Sequence, residues 1–113
     1  MKKDPTFFLK DILESIKLVE KYTRNVSKKE FLASKKTQDA VVRRLEVIGE
    51  AARNLPEESK QLNSKIAWRK IIAMRNLLIH EYFGVDLKLV WAVVENNLPE
   101  FKKQIKGILK KIA

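Results

Sequence analysis

Four side chains able to do chemistry lie within eight residues of one another: Arg75, Asn76, His80 and Tyr82, in the run Met74-Arg75-Asn76-Leu77-Leu78-Ile79-His80-Glu81-Tyr82-Phe83. His80 is the only histidine in the chain. An imidazole titrates near neutral pH and can take up or give a proton. A guanidinium stays charged and grips a carboxylate or a phosphate through parallel hydrogen bonds. Each residue alone has a plainer use. A lone Arg on an apolar helix face often serves an ion pair inside a bundle, for which Glu46 or Glu50 are the candidate partners. A lone His near a helix C-terminus complements the helix dipole. The combination, in a small and strongly basic chain, is what marks the segment.

The segment reads as the end of a helix running from about Ala67 to Tyr82, with Gly84 as its C-cap. At about 100° per residue, Trp68, Ile71, Ile72, Leu78, Ile79 and Tyr82 fall within about 60° of one direction, and Arg75 lies at the centre of that stripe. A guanidinium cannot stay unpaired in an apolar setting, so Arg75 needs a carboxylate, a phosphate or an opening to solvent. Asn76 and His80 sit one turn apart on a flank about 100–140° from Arg75, with Ala73 leaving space beside them. Arg75 and His80 are themselves about 140° apart. They converge on one ligand more readily across two copies of the chain than within one helix.

Three further long helices must position this one. The first starts at Asp4, an N-cap followed by Pro5, and buries Phe8, Ile12, Ile16 and Val19, with Tyr22 or Val26 near its end. Ser27-Lys28-Lys29-Glu30 reads as a capping box opening a short helix around Phe31 and Leu32. Thr37 is the expected cap of a second long helix reaching about Asn54, with core positions Val41, Leu45, Ile48, Ala52 and Leu55. Gly49 within it costs about 1 kcal/mol relative to alanine; such a glycine usually admits a close neighbour. Leu55-Pro56 ends that helix. Asp86 caps a final helix whose stripe is Leu87, Val90, Val94, Leu98, Phe101, Ile105, Ile108 and Ile112, with a kink or break expected at Pro99. Trp68 and Trp91 fall on apolar stripes as core anchors. The expected fold is all-α, an antiparallel up-down bundle of four main helices plus short connecting helices, in a single domain spanning residues 1–113.

Composition supports the same picture and narrows the chemistry. The chain has 113 residues, 45% of them hydrophobic, with three glycines and three prolines. That is too few turn residues for a sandwich or barrel. The absence of cysteine excludes disulfides, thiol nucleophiles and cysteine-ligated zinc. A single histidine excludes multi-histidine metal sites within one copy. No apolar run approaches the roughly 18 residues of a membrane span, and the N-terminus lacks a signal peptide's apolar core, which points to a soluble cytoplasmic protein. The 24 Lys and Arg against 14 Asp and Glu leave +10. This excess suggests an anionic partner, nucleic acid first, or else a solvated basic surface.

Arg75-Asn76, three intervening residues and His80-Glu81-Tyr82 resemble the Arg-x4-His-x-Tyr motif of HepT-like proteins of the HEPN superfamily, small helical ribonucleases and nucleotide-binding bundles. Arg44-Leu45-Glu46-Val47-Ile48-Gly49-Glu50-Ala51-Ala52, Leu55-Pro56, Ala67-Trp68, Val85-Asp86, Val90-Trp91 and Leu98-Pro99 look like family landmarks in the expected order. The resemblance spans roughly residues 6 to 109. It implies a homodimer with both motifs facing one cleft, and a metal-independent endoribonuclease without a cofactor, acting as a toxin beside a minimal nucleotidyltransferase antitoxin. In RNA cleavage of that kind His80 is the proton-transfer group, Arg75 binds the scissile phosphate, and Asn76 orients the imidazole or donates to the phosphate. Tyr82 occupies the place of the tyrosine that receives AMP in some such systems. The competing expectation is a non-catalytic helical partner or AMP-acceptor substrate of a nucleotidyltransferase. A purely structural bundle would leave the Arg75-to-Tyr82 cluster unexplained.

Overall fold

The computed structural model describes residues 4–80 and 85–112, without the side chains of Leu77, Ile79 and His80. Helix α1, Pro5–Thr23, begins as expected: Asp4 Oδ1 accepts from the Thr6 N–H at 2.9 Å and Pro5 takes the first turn. Its buried face is Leu9, Ile12, Ile16 and Val19. Phe8 is only half-buried, and Leu9 holds its expected place in the core. Helix α2, Lys28–Ala33, opens on the capping box: Ser27 Oγ accepts from the Glu30 N–H, and Glu30 Oε1 accepts from the Ser27 N–H at 3.0 Å. The Ser27 N–H and then its hydroxyl hold the Glu30 carboxyl below its ordinary value.

Helix α3, Lys35–Asn54, starts earlier than Thr37. Ser34 is the cap, its Oγ accepting from the Thr37 N–H at 3.3 Å, and Thr37 lies inside the first turn. A hydroxyl three residues ahead of a free N–H outcompetes the later candidate, because the first-turn donors are the ones lacking helical partners. Val41, Leu45, Ile48, Ala52 and Leu55 are all buried. After Pro56 comes the short α4, Glu57–Leu62, and then α5, Trp68–His80. The expected extension to Tyr82 and the Gly84 cap lie outside the described residues. Trp68 is buried, with its Nε1 donating to the Asn63 carbonyl at 3.1 Å and its ring edge-on to Phe101. Trp91 is half-buried and packs on Phe31 with ring centroids 5.2 Å apart.

Asp86 caps α6, Leu87–Ala92, accepting from the Lys88 and Leu89 N–H groups. A π-helical turn, Val93–Asn97, leads directly into α7, Leu98–Ile112. The discontinuity expected at Pro99 therefore falls before it. Pro lacks an N–H and crowds the carbonyl four residues back in a regular helix. The wider turn, in which the Leu98 N–H reaches the Val93 carbonyl five residues back, brings Pro99 into the first turn of α7, where its missing donor is not required. Leu98, Phe101, Ile105 and Ile108 are buried, whereas Ile112 is 48% exposed beyond the core. Leu87 and Val94 pack against it from partly buried positions.

Helix α1 packs against α3 on one side and α7 on the other, and α5 packs chiefly against α3. Helices α2 and α6 lie together across one end of this arrangement. Lys102 of α7 meets Glu20 near the end of α1 at 2.8 Å, while the start of α1 and the end of α7 share one cavity, so the two helices run antiparallel. The chain is an all-α bundle, and no helix among the described residues is long and apolar enough to cross a membrane.

Candidate functional site

Arg75 sits where α3 and α5 come closest. A Cβ added to Gly49 would collide with the Cβ of Arg75 and stand 3.0 Å from its Cγ. The glycine noted in the sequence thus makes room for the stem of this one arginine. Burying the stem fixes the guanidinium at the edge of the helix pair rather than in the core, and the side chain keeps 20% exposure.

The charge is answered from α3. Arg75 Nε lies 2.9 Å from Glu50 Oε2, which makes Glu50, not Glu46, the partner. Both atoms are buried and neither makes a hydrogen bond among the described residues. The contact is therefore Coulombic, without the aligned geometry that strengthens a charge-assisted hydrogen bond. Glu50 Oε1 also accepts from Asn54 Nδ2 at 3.2 Å, and Arg75 Nη1 donates to Asn76 Oδ1 at 3.2 Å. Asn54, Glu50, Arg75 and Asn76 form one polar chain across the two helices.

This chain borders an open groove of about 220 Å³ between α1, α3 and α5. Phe8 and Asp11 of α1, and Arg43, Glu46 and Glu50 of α3, line it together with Arg75. Arg43 is itself 3.7 Å from Glu46, so Arg75 and Arg43 both face carboxylates here. Among the described residues no group of carboxylates and histidine is placed to hold a metal ion. A larger cavity, about 370 Å³, opens between the start of α1 and the end of α7 against Leu9, Leu55, Leu62, Trp68 and Ile108. Its lining is mostly apolar and holds no lysine, arginine or histidine, so the smaller groove, which holds Arg75, is the candidate site.

Of the four residues singled out in the sequence, the structure brings Arg75 and Asn76 together. His80 is the last residue of α5, with its side chain outside the described residues, and Tyr82 lies outside them altogether. Sequence reading missed Asn54, Asp11 and Phe8. Asn54 was within reach, since it lies one turn beyond Glu50 on the same face. Asp11 and Phe8 come from a helix whose placement over α3 is a product of packing.

An all-α bundle with an arginine set into a helix crossing, beside a charged groove and five residues ahead of a lone histidine, has the make-up of the HEPN class. The model of the family described as "Ribonuclease HepT-like" matches residues 12–108, and the chain belongs to that family. It is 44% identical over 110 residues to a Thermococcus cleftensis protein named "Probable ribonuclease HepT", covering 97% of this chain and all of the relative. It is 46% identical over 112 residues, 99% of this chain, to a Methanocaldococcus jannaschii protein named as a gamma-glutamylcyclotransferase and "putative RNase", of which it spans half the length. A Caldanaerobacter subterraneus protein named as a "putative RNase" is 39% identical over 109 residues, 96% of this chain and 97% of the relative. No solved structure matches significantly.

Proposed function

We propose that the chain is a metal-independent endoribonuclease whose catalytic groups are Arg75, Asn76 and His80, working in a cleft between two copies. The observation that carries the reading is the Arg75–Glu50 contact: a fixed guanidinium, charged and partly desolvated, whose Nε lies 2.9 Å from a carboxylate oxygen without hydrogen-bonding it. A phosphate entering the groove can offer the aligned acceptors that Glu50 does not, and hydrogen bonds to charged groups contribute about 1.5–3 kcal/mol each. Family membership supplies the second support.

In this mechanism one His80 removes the proton from a ribose 2′-hydroxyl as its oxygen attacks the adjacent phosphorus. Arg75 stabilises the negative charge that builds on the phosphorane oxygens. The bond from phosphorus to the 5′-oxygen breaks, and that oxygen takes a proton from the second His80. Two proton-transfer groups are needed and each copy has one, which is the chemical reason for a two-fold dimer. Asn76, accepting from Arg75 Nη1, holds the guanidinium plane. The groove itself is smaller than the roughly 300–1,000 Å³ of a self-contained ligand pocket, as expected for one half of a shared cleft.

The products identify the route. Cleavage in EDTA should leave 2′,3′-cyclic phosphate and 5′-hydroxyl ends, read by end-specific labelling. Ends bearing 3′-hydroxyl and 5′-phosphate would overturn it. In its biological setting the chain acts as the toxin of a toxin–antitoxin pair in the cytoplasm, with a minimal nucleotidyltransferase as antitoxin. The alternative, a non-catalytic partner or AMP acceptor modified at Tyr82, which follows His80 by two residues, is separated by intact-mass measurement after co-expression with such an enzyme. AMP adducts on a chain that cuts no RNA would favour it.

A further inference from the structure

The outer face of α7 is unexplained by the bundle or by the groove. Lys103, Lys106 and Lys110 are exposed, and no acidic residue occurs from 102 to 113. None of the three makes an ion pair among the described residues, whereas Lys102 is neutralised by Glu20. The antiparallel α1 extends the face: exposed Lys17 and Lys10 lie within about 80° of the direction of Glu20, the side turned toward α7. Glu14 lies beyond these two lysines. Gly107 lies about 40–100° round the helix from these three lysines, on the flank away from Lys102 and α1, and an added Cβ there would meet no described atom within 4 Å. Unlike Gly49, this glycine answers no contact among the described residues, although glycine weakens a helix interior. It leaves the outer flank of the basic ridge flat.

We propose that the α7–α1 ridge is a second, non-catalytic surface that tracks the phosphate backbone of RNA through Lys103, Lys106 and Lys110, with Gly107 leaving the flank beside Lys103 and Lys110 open to the strand. The proposal rests on the ribonuclease reading for its choice of polyanion. A lipid surface is disfavoured because the apolar side of α7, Phe101, Ile105 and Ile108, is buried in the core. The lysines span about 10 Å of helix axis, enough for contact with successive phosphates. Such contacts release condensed counterions, so they are read as a salt slope, about 0.7 per phosphate for a single strand.

The test is the salt dependence of binding to a fluorescent 2′-O-methyl RNA, which lacks the attacking hydroxyl. Lys103→Gln/Lys106→Gln/Lys110→Gln should lower the slope by about 2 and weaken binding roughly tenfold or more at low salt. Gly107→Leu should weaken binding several-fold with the slope unchanged. A control of equal charge, Lys28→Gln/Lys29→Gln/Lys36→Gln, should bind as the native chain does. Equal losses in the ridge and control variants, or a loss in neither, would overturn the proposal; the second result would point to an acidic protein partner. A native chain that cuts ordinary RNA yet does not bind the probe at low salt would also overturn it while leaving the ribonuclease reading intact. A chain that neither binds nor cuts removes both.

Discussion

At the scale of the residue, the Arg75–Glu50 pair matters less for stability than for what Arg75 is left free to do. The pair is partly exposed and makes no aligned hydrogen bond between Nε and Oε2, so it contributes little, on the order of 1 kcal/mol or less. Glu50→Gln should accordingly leave the urea midpoint nearly unchanged. The same substitution removes the carboxylate that competes with phosphate, so the KM for RNA should fall; an unchanged KM would count against phosphate replacing Glu50 at Arg75. Ser15 presents the opposite case. It is 1% exposed on the buried face of α1, and its hydroxyl has no hydrogen-bond partner among the described residues. A buried unsatisfied hydroxyl keeps its desolvation penalty with no bond to offset it, so Ser15→Ala should stabilise the chain by up to about 1 kcal/mol. A lower thermal midpoint for that variant would mean the hydroxyl is satisfied in solution.

At the scale of the element, two helical glycines make opposite predictions. Gly49→Ala forces α3 away from the Arg75 stem. Overpacking of this kind costs about 1–3 kcal/mol, only part of which is offset by the roughly 1 kcal/mol of helix propensity that alanine restores. Gly107→Ala meets open space and should stabilise by about that propensity difference. Urea denaturation of the two variants checks both signs. The helices themselves were legible in the sequence, because apolar spacing and caps such as Asp4, Ser27 and Asp86 act locally. The start at Ser34 rather than Thr37 was not, since both offer a hydroxyl and the difference lies in which reaches an unpaired N–H. Nor was the π-helical turn at Val93–Asn97: Pro99 announces a problem for a regular helix but not how many residues upstream it is solved. At the site, Arg75, Asn76 and Glu50 were readable as chemistry in need of a partner. The choice of Glu50 over Glu46, and the approach of Asp11 and Phe8, depend on how α1 and α5 settle on α3.

At the scale of the whole molecule, two parts of the basic charge behind the +10 excess are placed differently. Arg75 is tied into the α3–α5 crossing beside the groove, while the lysines of α7 lie on the outer face of a helix that packs against α1 instead. In the proposed account the first stabilises a transition state and the second holds a strand. Charge steering alone would raise association rates without cutting anything, so cleavage depends on the chemistry of Arg75 and His80. The most direct measurement is RNA cleavage by the purified chain in EDTA, beside Arg75→Ala and His80→Ala proteins shown by circular dichroism to keep their helices. Metal-independent catalysis by Arg75 and His80 requires cleavage by the native chain and a loss of at least about a hundredfold in each variant. Cleavage by the folded His80→Ala protein at the native rate would contradict it.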